Sequence, residues 1–295
     1  MTKNRHAKNH RLVTRTRIVT VNRYIHTMIG DLFIALCRVP LLKKKLWRAW
    51  YNYLARAIRA PDWCFMNYGF ADRESSYLQL EPGDEQDRYC IQLYRHVAGA
   101  VDLTRRNVLE VGSGRGGGAS FVKRYLNPAR VTGVDLSESA VDFSMSRHRV
   151  EGLHFRVGDA EHLPFDNESF DVVINVESSH CYPRLSSFFF EVRRVLKLGG
   201  HFLYADLHDA KTLGEWRACL RGSGLAILAE TNITSNVVTA LDRDNQRKVT
   251  LIQRLVPSLL RPSFQNFAGV RGSQIHEAFQ SGPLEYLSFV AQKQI

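Results

Sequence analysis

The chain has 295 residues, is 44% apolar and carries a formal charge of +11. That is enough chain for one sizeable core, and too apolar for a disordered polypeptide. Five cysteines, Cys37, Cys64, Cys90, Cys181 and Cys219, form no C-x-x-C pair, which argues against a disulfide framework or a structural zinc site and fits a reducing compartment. The charge is local. Residues 1–60 hold 14 of the 40 Lys and Arg and one of the 29 acids, Asp31, so the remainder is close to neutral. The basic pI therefore makes no case for a nucleic-acid partner.

Residues 1–23 are polar, basic and without hydrophobic period, and disorder is expected there. The absence of acids suits a transit peptide, but the absence of serine does not. Residues 24–42 are more apolar, yet Asp31, Arg38 and Pro40 break them far short of the roughly 20 residues a spanning helix needs. Residues 1–42 are thus read as a basic extension, disordered or surface-associated. No signal peptide is evident, and the expected location is the cytoplasm, with or without peripheral membrane contact.

Residues 43–100 read as a helical lid region. Trp47, Trp50, Tyr51 and Leu54 recur at helical spacing beside Lys43–Lys45, Arg48, Arg56 and Arg59. Such a helix suits an anionic membrane surface, or equally packs on the body with a solvated basic face. Trp63–Phe70 is an aromatic stretch ahead of the core, and Asp87–Ala100 reads as a helix.

The body, residues 101–295, is organised around Asn107–Gly118. The apolar run Val108-Leu109-Glu110-Val111 enters a loop in which five of the seven residues Gly112–Gly118 are glycine, and Ala119–Leu126 has helical character. Strand, glycine turn and helix open a nucleotide-binding α/β unit. Gly112, Gly114 and Gly117 satisfy the dinucleotide pattern G-x-G-x-x-G, while Gly112, Gly114 and Gly116 with Glu110 satisfy E-x-G-x-G-x-G. A pyrophosphate wants a helix N-terminus and no acid beside it. Glu110 therefore favours the cationic amino-acid moiety of S-adenosylmethionine (SAM) over NAD. Asp135 ends the next strand, where an acid accepts ribose hydroxyls of either cofactor, and Ser137 is placed to cap the helix after it. Further strands are expected at 154–157, 171–176 and 201–206, with helices between; alternation implies parallel strands and right-handed crossovers. Phe188–Leu196 reads as a helix capped by glycine in Lys197-Leu198-Gly199-Gly200. A sixth strand is expected near 226–231. Residues 232–283 read as a helical insertion with Leu251, Leu255 and Leu259 on one face, and Leu284–Gln292 as the last strand.

Gly158-Asp159-Ala160-Glu161-His162-Leu163-Pro164-Phe165, followed by Ser169-Phe170-Asp171, resembles the class I SAM-dependent methyltransferases. The resemblance implies a Rossmann-like α/β fold: a seven-stranded, mostly parallel sheet with helices on both faces and an antiparallel last strand, here with the N-terminal helical extension and an acceptor-shaping insertion. It implies SAM as cofactor, held by Glu110, Gly112, Ser113, Gly114, Gly116, Asp135 and Leu136, with Asp159 and Ala160 at the adenine and Asn175 beside them. Glu177-Ser178-Ser179-His180-Cys181-Tyr182-Pro183 resembles a segment of natural-product methyltransferases whose histidine is the base. Carried over, His180 is the general base, Asp206 orients it, and Tyr68 and Tyr182 meet the acceptor. His180 as a packing residue and Asp206 as a helix cap stay open. No metal is expected.

Phe170–Pro183, Tyr204-Ala205-Asp206-Leu207 and the stretch FAGVRGSQ at 267–274 resemble, more narrowly, the phthiotriol/phenolphthiotriol dimycocerosates methyltransferase family. This implies O-methylation of a hydroxyl on a hydrophobic small molecule or a polyketide-derived lipid. The alternatives are a C-methyltransferase of a sterol or quinone, and a catalytically silent fold serving as a binding module. The acceptor and the oligomeric state are not legible.

Overall fold

The structure is a computed structural model that describes residues 63–72 and 78–294. The 1–42 extension and the basic aromatic helix at 43–60 lie outside the described residues. Seven strands form one sheet: β1 (Asn107–Val111), β2 (Arg130–Asp135), β3 (Leu153–Val157), β4 (Phe170–Val176), β5 (Leu196–Asp209), β6 (Leu225–Asn232) and β7 (Leu284–Lys293). Their order is β3-β2-β1-β4-β5-β7-β6. β1 to β5 pair in parallel, and β7 runs antiparallel between β5 and β6. The expected seven-stranded, Rossmann-like sheet is present.

The crossovers are helical: α1 (Arg88–Ala98) leads into β1, α2 (Gly117–Tyr125) follows it, α3 (Glu138–Arg147) follows β2, α4 (Leu185–Val195) follows β4 and α5 (Leu213–Gly222) follows β5. The 232–283 insertion is α6 (Thr234–Leu255), α7 (Arg261–Phe267) and α8 (Gln274–Ser281). Strand residues alternate between faces, so each strand feeds two cores. Val108 packs with Ile91, Phe121 and Val237 on the α1, α2 and α6 side. Leu109 and Val111 pack with Phe188, Phe189 and Trp216 on the α4 and α5 side.

Four expectations shift. No glycine cap follows α4: the chain turns straight into β5 at Leu196, which pairs with Phe170, and a bulge absorbs 197–200 before Val172 meets His201. Gly199, at φ 73°, supplies the left-handed residue of that bulge. Asp206 is no helix cap, because β5 continues through Asp209 and α5 begins only at Leu213. The Leu251–Leu255–Leu259 stripe is not the packed face of α6: Leu259 lies beyond the helix and is 56% exposed, while Val237, Ala240, Leu241, Asp244, Lys248 and Ile252 are the buried positions. Finally, 63–72 is not helical. It is a strap whose backbone bonds go elsewhere: Tyr68 N to a Glu177 carboxylate oxygen at 2.7 Å, Phe70 N to Tyr89 O at 2.9 Å and Ala71 N to Asn236 O at 3.1 Å. Those partners satisfy the donors a helix would have used internally.

Candidate active site

A cleft with about 1450 Å³ of empty space, part of it open to solvent, lies beyond the carboxyl ends of β1, β2, β3 and β4. Open α/β sheets bind ligands at this edge. Gly112, Ser113 and Gly114 form one wall, Asp135 and Leu136 the next, and Asp159 and Ala160 the third. Gly112 must be glycine: at φ 76°, a Cβ there would sit 2.3 Å from Ser178 Oγ and 2.8 Å from the Tyr182 hydroxyl. Asp135 is held by the loop it faces, since Gly114 N donates to Oδ2 at 2.8 Å and Ser137 N to Oδ1 at 2.9 Å. Ser137 also caps α3, its Oγ accepting from Ala140 N at 3.2 Å.

Glu110 departs from expectation. It does not line the cleft. Strand alternation turns it with Val108 toward α1, where it is 2% exposed and accepts the Tyr94 hydroxyl at 2.6 Å. Burial pushes its carboxyl up to about 8, against the Tyr94 hydroxyl and Ala119 N–H that favour its charged form. It accepts from Tyr94 behind the glycine loop through Oε1, and its other oxygen, Oε2, is buried without a partner. Gly116 and Asn175 also lie behind the wall. Gly116, at φ 78°, precedes α2, and a Cβ there would meet the Phe155 ring at 2.7 Å. Asn175 is fully buried and donates through Nδ2 to Val111 O at 2.8 Å and Ser178 Oγ at 2.7 Å.

The other end of the cleft carries His180. Pairing of Val176 with Ala205 brings the loop after β4 against β5, and His180 Nδ1 lies 2.8 Å from Asp206 Oδ1. Asp206 is fully buried, with its carboxylate saturated by donors. Oδ1 also accepts Leu207 N at 2.8 Å, and Oδ2 accepts Ser179 Oγ at 2.8 Å and His180 N at 3.1 Å. Hydrogen-bond polarity then runs in one direction. Ser179 spends its proton on Asp206, so it accepts from the Tyr204 hydroxyl at 2.8 Å, and Tyr204 in turn accepts from His208 Nε2–H at 3.3 Å. Burial alone would lower the His180 pKa, but the Asp206 carboxylate and the Cys181 thiol outweigh it and hold the ring well above its ordinary value. Burial likewise works against the Asp206 anion, and the His180 ring keeps it below the usual carboxylate range. Asp206 itself does not line the cleft; its partner His180 does.

Tyr68 and Tyr182 both line the cleft. The Tyr182 hydroxyl lies 2.9 Å from Ser178 Oγ, beside Gly112, and so at the glycine-loop end. Tyr68 sits on the strap, its ring edge-on to Phe279 at 5.6 Å. Glu177, Tyr94 and Arg115 are among the cleft residues that escaped the sequence reading. Glu177, at φ 47°, accepts both Tyr68 N at 2.7 Å and the Tyr286 hydroxyl at 2.8 Å, and burial pushes its carboxyl up to about 7. Only its place beside Ser178 and His180 hinted at it. Tyr94 closes the cleft from α1, with no local signal. Arg115 lies over Phe143, 3.7 Å from the ring centroid, and bonds the Trp63 carbonyl, which anchors the strap to the glycine loop.

The residues present fit a nucleoside-bearing sulfonium cofactor. Bare glycine backbone admits close approach, Asp135 offers a carboxylate to a ribose, and the buried Ser113 Oγ on the cleft wall is without a partner. Among the described residues, no group of three or more His, Cys, Asp or Glu could hold a metal ion, and no helix is long and apolar enough to cross a membrane.

Known proteins bear on this geometry. A family model described as a methyltransferase domain matches residues 109–204. The chain is 40% identical over 254 residues to the phthiotriol/phenolphthiotriol dimycocerosates methyltransferase of Mycobacterium leprae, covering 86% of this chain and 94% of that one. It is 39% identical over 236 residues to the fatty-acid O-methyltransferase of Mycolicibacterium smegmatis, covering 80% and 85%. Among solved structures, the [4+2]-cyclase SpnF superposes with a TM-score of 0.67 at 18% identity, covering 85% of this chain and 97% of that one. Geranyl diphosphate C-methyltransferase from Streptomyces coelicolor, in complex with Mg²⁺, geranyl diphosphate and S-adenosyl-L-homocysteine, superposes with a TM-score of 0.61 at 16% identity, covering 85% and 98%. These two likenesses concern the fold alone.

Proposed function

The chain belongs to the class I SAM-dependent methyltransferases, close to the phthiotriol/phenolphthiotriol dimycocerosates methyltransferases, and on that premise we propose that it methylates a hydroxyl oxygen of a hydrophobic small molecule or lipid, with His180 as general base. The observation that carries this reading is the His180–Asp206 pair, 2.8 Å apart, in the same cleft as the glycine loop and Asp135. The names of the relatives supply the acceptor class.

SAM supplies an electrophilic methyl carbon on a sulfonium. Gly112, Ser113, Gly114, Asp135, Asp159 and Ala160 would hold it along the wall of the cleft. The acceptor hydroxyl must lose its proton as its oxygen forms the new bond to carbon. Asp206 accepts Nδ1–H of His180, so in the neutral ring Nε2 carries the lone pair and takes that proton. Asp206 then stabilises the imidazolium that results. The same carboxylate raises the His180 pKa, so the base form fills as pH rises. Tyr68 and the apolar strap exclude water and orient the acceptor, and Tyr182 closes the glycine-loop end beside Gly112.

The experiment is transfer of labelled methyl from SAM into fractionated lipids, with His180→Ala in parallel. The expected result is label in an apolar fraction, joined through C–O by mass spectrometry, and lost with the variant while SAM affinity persists. A C–C linkage, or undiminished transfer by His180→Ala, would overturn the reading. A carboxylate acceptor needs no base, so an unaffected variant acting on fatty acids would remove the base role.

A further inference from the structure

A second cavity, with about 610 Å³ of empty space, part of it open to solvent, adjoins the cofactor cleft. The two share Trp63, Phe65, Met66, Asn67, Tyr68 and Phe267 in their walls. The far wall is the insertion: Leu251, Ile252, Leu255 and Val256 from the end of α6 and beyond, and Phe264 from α7. Among the described residues, Arg247 and Lys248 reach it, and each is committed. Arg247 bonds Asp244 at 2.6 Å and Asp87 at 2.9 Å. Lys248 donates from Nζ to Tyr68 O at 3.3 Å and Ala268 O at 3.2 Å.

Lys248 ties the Tyr68 strap to the turn after α7. That turn is where the unusual stretch FAGVRGSQ begins. Gly269, at φ 63°, lies so close that a Cβ would be 3.4 Å from Tyr68 Cε1 and 3.1 Å from Leu241 Cδ2. Tyr68 N in turn donates to Glu177 in the cleft. Glu177, Tyr68, Lys248 and the 267–269 turn therefore fix the junction between the two spaces. Leu251 and Leu255, half-buried on α6, belong to the wall of the second.

We propose that this second cavity is an acceptor subsite that takes a linear alkyl chain, with the reacting head at His180. The assignment rests on the apolar-acceptor reading above. A mostly apolar space opens off the reaction cleft, with Arg247 paired to two carboxylates and Lys248 bonded to two backbone carbonyls; its leucine, isoleucine, valine and phenylalanine wall suits hydrocarbon, and the buried Asn67 Oδ1 at the junction is left for the polar end of the acceptor.

The test is displacement of a dansyl-labelled undecanoic acid from the full chain, loaded with S-adenosylhomocysteine, by saturated fatty acids of eight, twelve and sixteen carbons. Affinity rises with length, by about fourfold per methylene until the cavity is full. Leu251→Trp and Leu255→Trp lower the length at which affinity levels off: the sixteen-carbon acid loses about tenfold and the eight-carbon acid keeps its affinity. Leu251→Ala does the opposite and guards against misfolding of the larger side chains. SAM affinity by calorimetry stays unchanged in all three, since neither leucine lines the cofactor cleft. A flat length series in the parent, or a length series unmoved by every variant, overturns the subsite; a rigid-ring compound that displaces the probe better than any fatty acid does so too. The two readings fail separately. Length-dependent binding without methyl transfer to any acceptor would leave the subsite standing and remove the lipid methyltransferase, whereas methyl transfer indifferent to chain length would remove the subsite alone.

Discussion

At the scale of single residues, the site is a problem in placing charge. Asp206 is anionic in a fully buried position because four donors saturate it. Asp206→Asn removes the charge that lifts the His180 pKa, so the rise of kcat/KM with pH should move to lower pH. The maximal rate should fall by about 10²-fold or more, as for loss of an acid–base partner. An unmoved profile would show that the pair is not used. Ser179→Ala leaves one Asp206 oxygen and the Tyr204 hydroxyl each short of a partner, and should cost about 1–3 kcal/mol of stability in urea. Glu110 carries a different prediction. Its carboxyl titrates near 8 when folded and near 4.5 when not, so between those values the folded chain holds a proton that the unfolded chain has released, and stability falls as pH rises. Glu110→Gln has no such group, so its stability relative to the parent should grow from pH 4.5 to pH 8 and then level off. A difference constant with pH would show that Glu110 is charged in place.

At the scale of elements, two glycines separate backbone need from ligand need. A Cβ added at Gly199 would meet nothing within 4 Å, so this glycine matters only through its φ of 73° in the β5 bulge. Gly199→Ala should therefore cost about 1–2 kcal/mol of stability and leave activity untouched. Gly112 has both φ and space against it. Gly112→Val should abolish SAM binding, and retention of binding within tenfold would mean that the loop moves freely. Much of the element plan was legible. Strands that alternate with helices leave a period in the sequence, and the glycine loop, Asp135 and the G-D-A stretch are local motifs. The strap at 63–72 was legible only as an aromatic run, because its conformation is set by Glu177, Tyr89 and Asn236, which are distant in sequence. The α6 face was misread because Leu251 and Leu255 line a cavity and a lysine takes a buried position below them.

At the scale of the molecule, the chain divides by charge. The basic excess lies in residues 1–60, while the described parts of the sheet, the cleft and the second cavity come from residue 63 onward. Deleting residues 1–42 should leave the circular dichroism spectrum and SAM affinity unchanged, and aggregation of the truncated chain would contradict that boundary. SAM at about a hundredfold its Kd should add about 2.7 kcal/mol to the unfolding free energy of the parent, while NAD adds nothing.

The sequence alone determined the order of the strands along the chain and the cofactor class. Each of these is written in short, contiguous patterns whose physics is local. Only the tertiary structure decided which acids line the cleft. One residue of strand alternation turns Glu110 away from the cleft to Tyr94, while pairing of β4 with β5 carries Asp206 across to His180 from 26 residues away. The structure also made Glu177, Lys248 and the 267–269 turn into one junction, since burial and hydrogen-bond partners at that range belong to packing and not to sequence spacing.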